Sequence, residues 1–391
     1  MKIGIIGSGC SAIYLACILK AKDFKNDVSL LDINFIPGKK FLITGNGRCN
    51  LANTLVTNDS YNNDQTKKII GNTPAKDIIS FLGEVGILTR DLGNLIYPFS
   101  LSAQDYLSQL IRFLKERNTK FINDFNVLDY QETNKGIKII GKEKCYVFDK
   151  VIIATGGLSK INLKQRTNMF NILKTHKYSI SPVKPGLNPI KSIENVKSLE
   201  NLRAKGDVKL FIDNKEIYKE SGEVQFKKDG LSGIAIFNCS SLIARYKDFK
   251  VAKISIDLMP DHSEEQIIDI LKKFNNASKY SCLDGLFAPK FSEFIRQKAN
   301  VKNLYLFNNS EISKLATTIK NLIFTFKEVY GFEDSQVTIG GVSYSNLSDT
   351  LESKIEKNIY FIGEVLDADG LCGGYNLMFA FKSAELVSKN L

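Results

Sequence analysis

The N-terminal segment constrains the possible folds of this chain more than any other part of the sequence. Residues 2–6 form a mostly apolar run that predicts a buried strand, and an apolar helix is predicted to follow as far as Leu19. Between them, Gly7, Gly9 and Ala12 have the spacing of the dinucleotide-binding fingerprint. There the first glycine makes a tight turn, the second admits a pyrophosphate, and a small third residue lets the helix pack on the strand. The segment predicts a Rossmann-type unit whose helix N-terminus faces the phosphates.

Asp32 supports this interpretation. It ends a second predicted strand, residues 28–32, about 20 residues after the turn, where a carboxylate binds the ribose diol of a nucleotide. Ser11, in the first turn of the helix, joins the predicted cofactor contacts. The alternative is a purely structural turn, but the strand before it, the helix after it and Asp32 together favour nucleotide binding.

Residues 44–50 predict a second part of the cofactor pocket. Glycines there let the backbone approach a flat ligand closely, while an arginine offers a fixed cation and a cysteine offers a soft nucleophile or acid. The alternative is a glycine-rich surface turn. The predicted contacts are Gly45, Asn46, Gly47, Arg48, Cys49 and Asn50.

The far end of the chain decides between NAD and FAD. Residues 357–364 predict a strand ending in Gly-Glu, and residues 371–376 open a helix. This return to the first domain is typical of FAD enzymes, because the carboxylate can bind ribityl hydroxyls and the helix N-terminus can face the flavin edge that gains charge on reduction. A strand at residues 150–157 ends in a turn common in such enzymes. The predicted contacts are Thr155, Gly156, Gly363, Glu364, Gly373, Gly374, Tyr375 and Asn376.

Several protein classes are disfavoured by the sequence. The seven cysteines are scattered and form neither a disulfide framework nor a paired metal motif, and two histidines make a histidine metal site unexpected. Glycines and serines interrupt the N-terminal apolar run, so we do not expect a lipoprotein leader. Without a run of about 18 apolar residues, a membrane span is not expected either, and a cytoplasmic location is predicted.

The net charge leaves the partner open. A formal charge of +11 favours a polyanionic partner, but only 8 of the 53 cationic residues are arginine. A composition rich in Lys, Asn and Ile is also what codon bias produces. Charge alone therefore does not decide for nucleic acid.

The middle of the chain predicts an insertion. Pro182, Pro185 and Pro189 punctuate a linker, after which short strands are predicted at residues 208–212, 224–226 and 234–237. A capping box at residues 263–266 opens a helix over 267–274, and residues 310–330 predict a further helical run. We predict an α/β fold with a discontinuous Rossmann-like FAD-binding domain (residues 1–182 and 334–391), an inserted β-rich subdomain (183–260) and a helical subdomain (261–333).

The chain resembles a family of FAD flavoproteins that includes aminoacetone-oxidase-like and bile-acid-pathway proteins, some of which reduce uridine in large-subunit (23S) ribosomal RNA. The residues that carry the resemblance span nearly the whole chain: Gly7, Gly9 and Ala12, then 38–40, 44–50, 154–157, 222–226, 230–233, 256–261, 338–342, 361–364 and 373–376. The segments 47–50 and 372–376 are the most specific. The resemblance adds Lys40 to the predicted FAD contacts, and Val127 is predicted as a further contact.

Two segments depart from the family pattern. Residues 158–167 are lysine-rich where a proline- and glycine-rich loop is usual, and Lys227 and Lys228 replace a Thr-His pair. Both changes add positive charge beside the predicted substrate face, which favours an anionic substrate such as RNA.

The resemblance implies an FAD-dependent reductase that forms dihydrouridine in ribosomal RNA, with NAD(P)H docking transiently as electron donor. Cys49 and Cys372 are the candidate acids that would protonate uracil C5 after hydride transfer to C6, and the alternative for each is packing near the isoalloxazine. Tyr375 is expected either to stack on flavin or substrate or to be a core aromatic beside the helix cap. The alternative functions are an FAD-dependent oxidase of a small amine such as aminoacetone, and a flavin-containing RNA-binding protein without turnover.

Overall fold

The computed structural model describes residues 1–22, 25, 27–160, 169–246, 248–277 and 281–391. These residues form two compact units, one of residues 1–184 with 336–391 and the other of residues 185–335. The described helices are α1 (Cys10–Ala21), α2 (Asp64–Ile70), α3 (Pro74–Glu84), α4 (Ala103–Glu116), α5 (Met169–Thr175), α6 (Ile234–Arg245), α7 (Glu264–Ala277), α8 (Pro289–Lys298), α9 (Asn309–Lys320) and α10 (Tyr375–Ser388). None of them is both long and apolar enough to cross a bilayer.

The described strands fall into one large parallel sheet, several small sheets and a barrel. They are β1 (Lys2–Ile6), β2 (Asp27–Leu31), β3 (Ala52–Asn53), β4 (Thr89–Leu92), β5 (Leu95–Pro98), β6 (Lys120–Ile122), β7 (Asp129–Thr133), β8 (Gly136–Ile140), β9 (Cys145–Phe148), β10 (Lys150–Ile153), β11 (Ile180–Gly186), β12 (Ile190–Ser192), β13 (Arg203–Ile212), β14 (Lys215–Lys227), β15 (Gly230–Ser232), β16 (Ala252–Asp257), β17 (Leu322–Val329), β18 (Val337–Val342) and β19 (Ile359–Phe361).

The first unit is built on a five-stranded parallel sheet in the order β19-β10-β1-β2-β6. Both faces are covered, so Ile3, Ile5 and Ile6 of the central β1 are all buried, as expected for a parallel sheet. Helix α1 is buried along residues 11–19 because it lies in the core of this unit. The parallel sheet with its helices confirms the predicted α/β Rossmann-like class.

A two-stranded sheet of β11 and β18 replaces part of the predicted linker. Pro182 and Pro185 lie within β11, where the sequence suggested irregular chain. Proline lacks an N–H group, but a strand with a single partner needs only half of its backbone groups for pairing. The linker prediction was therefore wrong at residues 182–186.

The second unit contains a closed barrel in the order β12-β15-β14-β13-β16-β17. Its predicted strands at 208–212 and 224–226 are parts of β13 and β14, but residues 234–237 begin helix α6 instead. Four apolar residues are too few to show a period, whereas the buried Ala235, Ile236, Cys239 and Ile243 follow helical spacing.

The predicted helical run at 310–330 is also two elements. Helix α9 ends at Lys320, and β17 follows with Leu322 and Phe324 buried on one side of the strand. Aromatic and β-branched residues in this stretch favour a strand, and pairing with β16 supplies its hydrogen bonds.

Helix α7 begins where the sequence predicts. The Ser263 N–H donates to Gln266 Oε1 at 2.8 Å, and the Gln266 N–H donates to Ser263 Oγ at 3.3 Å, which is the reciprocal capping box. Helices and barrel share one apolar core. The separate subdomain boundaries predicted for residues 183–260 and 261–333 stay predictions.

Lys382 on α10 is a partly buried cation between two carboxylates. Its Nζ lies 2.6 Å from Asp77 Oδ2 and 2.5 Å from Glu385 Oε2, with 12% of the side chain exposed. Burial disfavours the charged form, but the two hydrogen bonds raise the pKa of Lys382 above its usual value.

We expect Lys382→Met to lower the free energy of unfolding by about 2 kcal/mol, because it leaves two partly buried carboxylates without their cation. Lys389 contacts the same Glu385 at 3.4 Å but is 56% exposed, so Lys389→Met is expected to cost less than about 0.5 kcal/mol. Urea denaturation measures both. Equal losses in the two variants would contradict a role for burial.

His176 lies between two carboxylates in the first unit. Its Nδ1 is 2.9 Å from Glu356 Oε1 and its Nε2 is 2.8 Å from Asp129 Oδ1, while its ring stacks on Tyr130 with centroids 4.1 Å apart. The hydroxyls of Tyr130 and Tyr178 both donate to Glu356 Oε2 at 2.9 Å. Burial opposes the charge, but the bonds to Asp129 and Glu356 raise the pKa of His176 above its usual value.

This cluster predicts a pH-dependent stability. The pKa of His176 is raised in the folded state. Its contribution to the free energy of unfolding is therefore fully present below about pH 6.5 and is lost as the pH rises through the folded-state pKa. We expect the stability difference between the native chain and His176→Gln to be largest near pH 6 and to shrink toward pH 9. Denaturation curves across that range measure it, with His262→Gln as the control. A difference that grows with pH would contradict the assignment.

Candidate functional site

The turn between β1 and α1 has the geometry of a phosphate-binding loop. Gly7 has φ +106°, and a Cβ there would lie 2.4 Å from the Ala154 carbonyl oxygen, so glycine is required. A Cβ on Gly9 would meet no atom within 4 Å, and no side chain caps the N-terminus of α1. Open space beside a helix N-terminus that no side chain caps can hold a pyrophosphate.

Asp32 is fixed at the end of β2 by four hydrogen bonds. Its Oδ2 accepts from Ser8 N at 2.6 Å and Ser8 Oγ at 2.9 Å, and its Oδ1 accepts from Asn34 N at 2.6 Å and Asn34 Nδ2 at 2.7 Å. The carboxylate thus lies beside the glycine turn, as a ribose ligand would require. The Asp32 carbonyl accepts from Phe125 N at 2.8 Å, so the buried Val127 follows a segment that touches this end of the site.

The predicted contacts on α1 have small, buried side chains. Ser11 is 4% exposed and Ala12 has no exposed area. A Cβ on Gly363, which has φ +72°, would lie 2.5 Å from Ser11 Oγ. The C-terminal Gly-Glu therefore packs directly on the first turn of α1.

Glu364 is the centre of a network that connects four distant parts of the chain. Its Oε2 accepts from Gly157 N at 3.2 Å and lies 3.4 Å from Lys40 Nζ. Its Oε1 accepts from Thr338 N at 2.7 Å and from Ser159 Oγ at 3.3 Å. The carboxylate is therefore held by the protein on several sides.

The sequence predicted Lys40 and Glu364 but missed Ser159 and Thr338 as their partners. Thr338 Oγ1 also accepts from Leu158 N at 2.7 Å, so it shapes the turn after β10. Thr338 opens one of the segments that carry the family resemblance, which was the available signal. Ser159 follows a common turn and had none.

Residues 41–50 fold into a tight loop. Within the 3₁₀ segment Phe41–Gly47, Gly45, Asn46 and Gly47 have positive φ angles, and Cys49 just after it does too. Gly45, Asn46 and Arg48 are exposed, whereas Cys49 and Asn50 are buried. The glycines therefore present backbone to solvent, where a flat ligand can reach it.

The two most specific motifs of the sequence meet through Asn50 and Asn53. The Asn50 amide oxygen accepts from Gly374 N at 3.3 Å, and its nitrogen donates to the Ala52 carbonyl at 3.0 Å. Asn53 Nδ2 donates to the Gly373 carbonyl at 3.1 Å. The loop of residues 44–50 and the N-terminus of α10 thus form one surface.

Tyr375 and Asn376 support the loop before α10. Tyr375 is 7% exposed, and its hydroxyl donates to the Leu55 carbonyl at 2.5 Å. The Asn376 side chain accepts from Gly370 N at 2.9 Å and donates to the Gly370 carbonyl at 3.1 Å. Of the two roles predicted for Tyr375, this geometry favours the core aromatic.

The two candidate acids differ in accessibility. Cys49 has no exposed area, and burial raises the pKa of its thiol to about 12. Cys372 is partly exposed, and its Sγ donates to Gln336 Oε1 at 3.7 Å. In this conformation only Cys372 can be presented to a ligand.

Two lysine-containing segments, residues 158–167 and 227–228, differ from the family pattern. Residues 161–167 of the first lie outside the described residues. Lys227 of the second lies in the inserted unit, with its Nζ 5.7 Å from the centroid of the Tyr330 ring. The substrate face expected for both segments stays a prediction.

The whole chain matches a known family. A family model described as the HI0933-like protein Rossmann domain matches residues 1–390. The chain belongs to the HI0933-like family. This confirms the predicted resemblance, and members of the HI0933-like family are FAD-dependent oxidoreductases, which confirms the predicted class of enzyme.

Several characterised proteins are similar to this chain over nearly the full length of both. A 3-dehydro-bile acid delta(4,6)-reductase from Clostridium scindens is 28% identical over 99% of this chain and 98% of the relative. Ribosomal RNA dihydrouridine synthases from Escherichia coli and Haemophilus influenzae are each 27% identical, over 99% and 97% of this chain and 97% and 96% of the relatives. The solved open conformation of a flavocytochrome c3 fumarate reductase is 14% identical, with a TM-score of 0.46 over 100% of this chain and 77% of that chain.

The observed residues fit the FAD of the HI0933-like family. Neither α1 nor α10 has a side-chain cap at its N-terminus, and Gly9 leaves open space beside the first of them. Thr155 Oγ1 is buried and has no hydrogen-bond partner in the described part of the chain. A ligand with phosphates and hydroxyls would supply partners to these groups.

Proposed function

We propose that this enzyme reduces uridine to dihydrouridine in large-subunit ribosomal RNA, with NAD(P)H as electron donor. The observation that carries the proposal is the nearly full-length match to two ribosomal RNA dihydrouridine synthases. The charge of +11 is compatible with a polyanionic substrate. A ribosomal RNA substrate implies a cytoplasmic protein.

The relatives' names describe one kind of chemistry. A uracil ring and a 3-dehydro-bile acid with delta(4,6) unsaturation both hold carbon–carbon double bonds conjugated to a carbonyl group. Reducing such a bond needs a hydride at the carbon remote from the carbonyl and a proton at the adjacent carbon. The bile-acid relative therefore makes a conjugated steroid ketone the second candidate substrate.

The chain's residues can be assigned to this reaction. Reduced FAD, when bound, supplies the hydride that adds to uracil C6, and NAD(P)H restores its two electrons. The partly exposed Cys372 donates the proton to C5. Arg48, exposed on the same loop as the buried Cys49, attracts the anionic backbone of the substrate.

Nucleoside analysis of ribosomal RNA tests the proposal. We expect dihydrouridine to be lost from RNA of cells without this gene, and to return when that RNA is incubated with purified protein, FAD and NADH or NADPH. Unchanged nucleosides in both experiments would overturn it. A conjugated 3-oxo steroid and then small amines, followed with an oxygen electrode, would be the next substrates.

Binding provides a second test that separates RNA from a small molecule. The affinity for a uridine-rich single strand is expected to fall steeply between 50 and 200 mM salt, because phosphate contacts are screened. RNA binding without any reduction would instead support a non-catalytic flavin protein.

A further inference from the structure

The small sheet of β3, β5 and β4 lies against both specific motifs. Strand β3 follows directly from residues 44–50, and Asn53 on it donates to the Gly373 carbonyl at 3.1 Å. Strand β5 pairs with β3 on one side and β4 on the other. The sheet is therefore hydrogen-bonded to the predicted flavin site, although no motif of the sequence includes β4 or β5.

On this sheet, an arginine side chain stacks on an exposed aromatic ring. Phe99, just after β5, is 51% exposed, and the Arg90 guanidinium carbon lies 3.9 Å from its ring centroid. The Phe99 N–H donates to the Leu88 carbonyl at 2.9 Å, which fixes the backbone that carries the ring. Arg90 Nε is buried and has no hydrogen-bond partner in the described part of the chain.

Tyr97 connects this stack to the predicted site. It lies directly opposite Arg90 in the antiparallel register, so both side chains are on one face of the sheet. Burial raises the pKa of Tyr97, while Arg48 lowers it and Cys372 raises it, so the phenol is within electrostatic range of both residues. Aromatic and cationic groups thus continue from Phe99 to the edge of the predicted site.

Arginine is used sparingly in this chain, which makes its placement informative. Among the described residues, Arg112, Arg117, Arg203 and Arg296 each lie within ion-pair distance of a glutamate. For Arg48 and Arg90 the described part of the chain shows no carboxylate within that distance. Their positive charges are therefore available to an anionic partner.

We propose that Phe99, Arg90, Tyr97 and Arg48 form a platform that binds an unpaired segment of RNA beside the flavin site. Nucleobases stack on aromatic rings and on guanidinium planes, and arginines bind phosphates. A base held on the platform places its neighbour at the partly exposed Cys372. This inference rests on the proposed RNA substrate and names the surface that recognises it.

Binding of a uridine-rich single-stranded RNA to the FAD-loaded enzyme tests the platform. Phe99→Ala is expected to weaken binding roughly 5- to 100-fold, and Phe99→Tyr, which keeps the ring, is expected to bind nearly as well as the native chain. Arg90→Gln should also reduce the salt slope of binding by about 0.7. Tyr305→Ala removes an aromatic side chain of similar exposure, 54%, from the other unit and is expected to change nothing.

The outcomes distinguish this inference from the proposed function. If the native enzyme reduces uridine in RNA and Phe99→Ala binds RNA and reduces it equally well, the platform is wrong and the function stands. If the native enzyme neither binds nor reduces RNA, the proposed function fails first. If Phe99→Ala instead raises the KM for a conjugated 3-oxo steroid, RNA is overturned as the occupant. FAD content and thermal stability, expected to be unchanged, show that each variant is folded.

Discussion

Replacing Gly9 with aspartate is expected to weaken FAD binding roughly 100-fold or more while leaving the apoprotein as stable as before, or up to about 1 kcal/mol more stable. The two effects have opposite signs for one reason. Gly9 is the N-cap of α1 with φ −75° and ψ −172°, angles that any residue adopts, and aspartate is among the best N-cap residues. The same carboxylate would occupy the space predicted for the pyrophosphate and would repel its negative charge.

Fluorescence titration of the apoprotein with FAD and a thermal melt measure these two effects. Ala288→Asp is the matched control, because it adds the same carboxylate at the N-cap of α8 in the other unit. Ala288→Asp is expected to raise the thermal stability through N-capping and to leave the affinity for FAD unchanged. An affinity for FAD within a few-fold of the native value in Gly9→Asp would place the pyrophosphate elsewhere. A loss of folding would contradict the open space at Gly9.

Replacing Cys372 with alanine is expected to slow substrate reduction roughly 100-fold, the usual contribution of a positioned proton donor. Reduction of the flavin by NAD(P)H should keep its native rate, because that half-reaction needs no proton at the substrate carbon. Cys372→Ser retains a donor and should be slowed less. Cys49→Ala is the control, since its side chain has no exposed area.

Anaerobic single-turnover experiments separate the two half-reactions. Flavin reduction is followed after mixing with NAD(P)H, and its reoxidation is followed after mixing the reduced enzyme with the uridine-containing RNA. A slow reoxidation in Cys49→Ala with a normal rate in Cys372→Ala would make Cys49 the proton donor instead of Cys372. Normal rates in both would remove thiols from the mechanism.

The parts of the fold that the sequence predicted correctly depend on short-range patterns. The turn after β1 contains Gly7 because the backbone there has a φ of +106°, which glycine adopts without strain. Likewise, the capping box at Ser263 marks the start of α7 within four residues. In such places neighbouring residues determine the local structure, so a sequence alone is informative.

The failures involve pairing between distant residues. Residues 322–329 form a strand between β12 and β16, and the aromatic and β-branched residues there did not by themselves mark where the preceding helix ends. Similarly, the partners of Glu364 come from residues 40, 157, 159 and 338. The burial of Cys49 could not be predicted either, because it depends on how the whole loop packs.

The inserted unit begins and ends on neighbouring strands. Ile190 of β12 pairs directly with Val329 of β17, and in the other unit β11 lies beside β18. Residues 185–335 are entered from β11 and left toward β18, and these two strands pair with each other, so about 150 residues interrupt the chain of the first unit at one place. In evolutionary terms, such a module could be gained, lost or exchanged by recombination without altering the connectivity of its host.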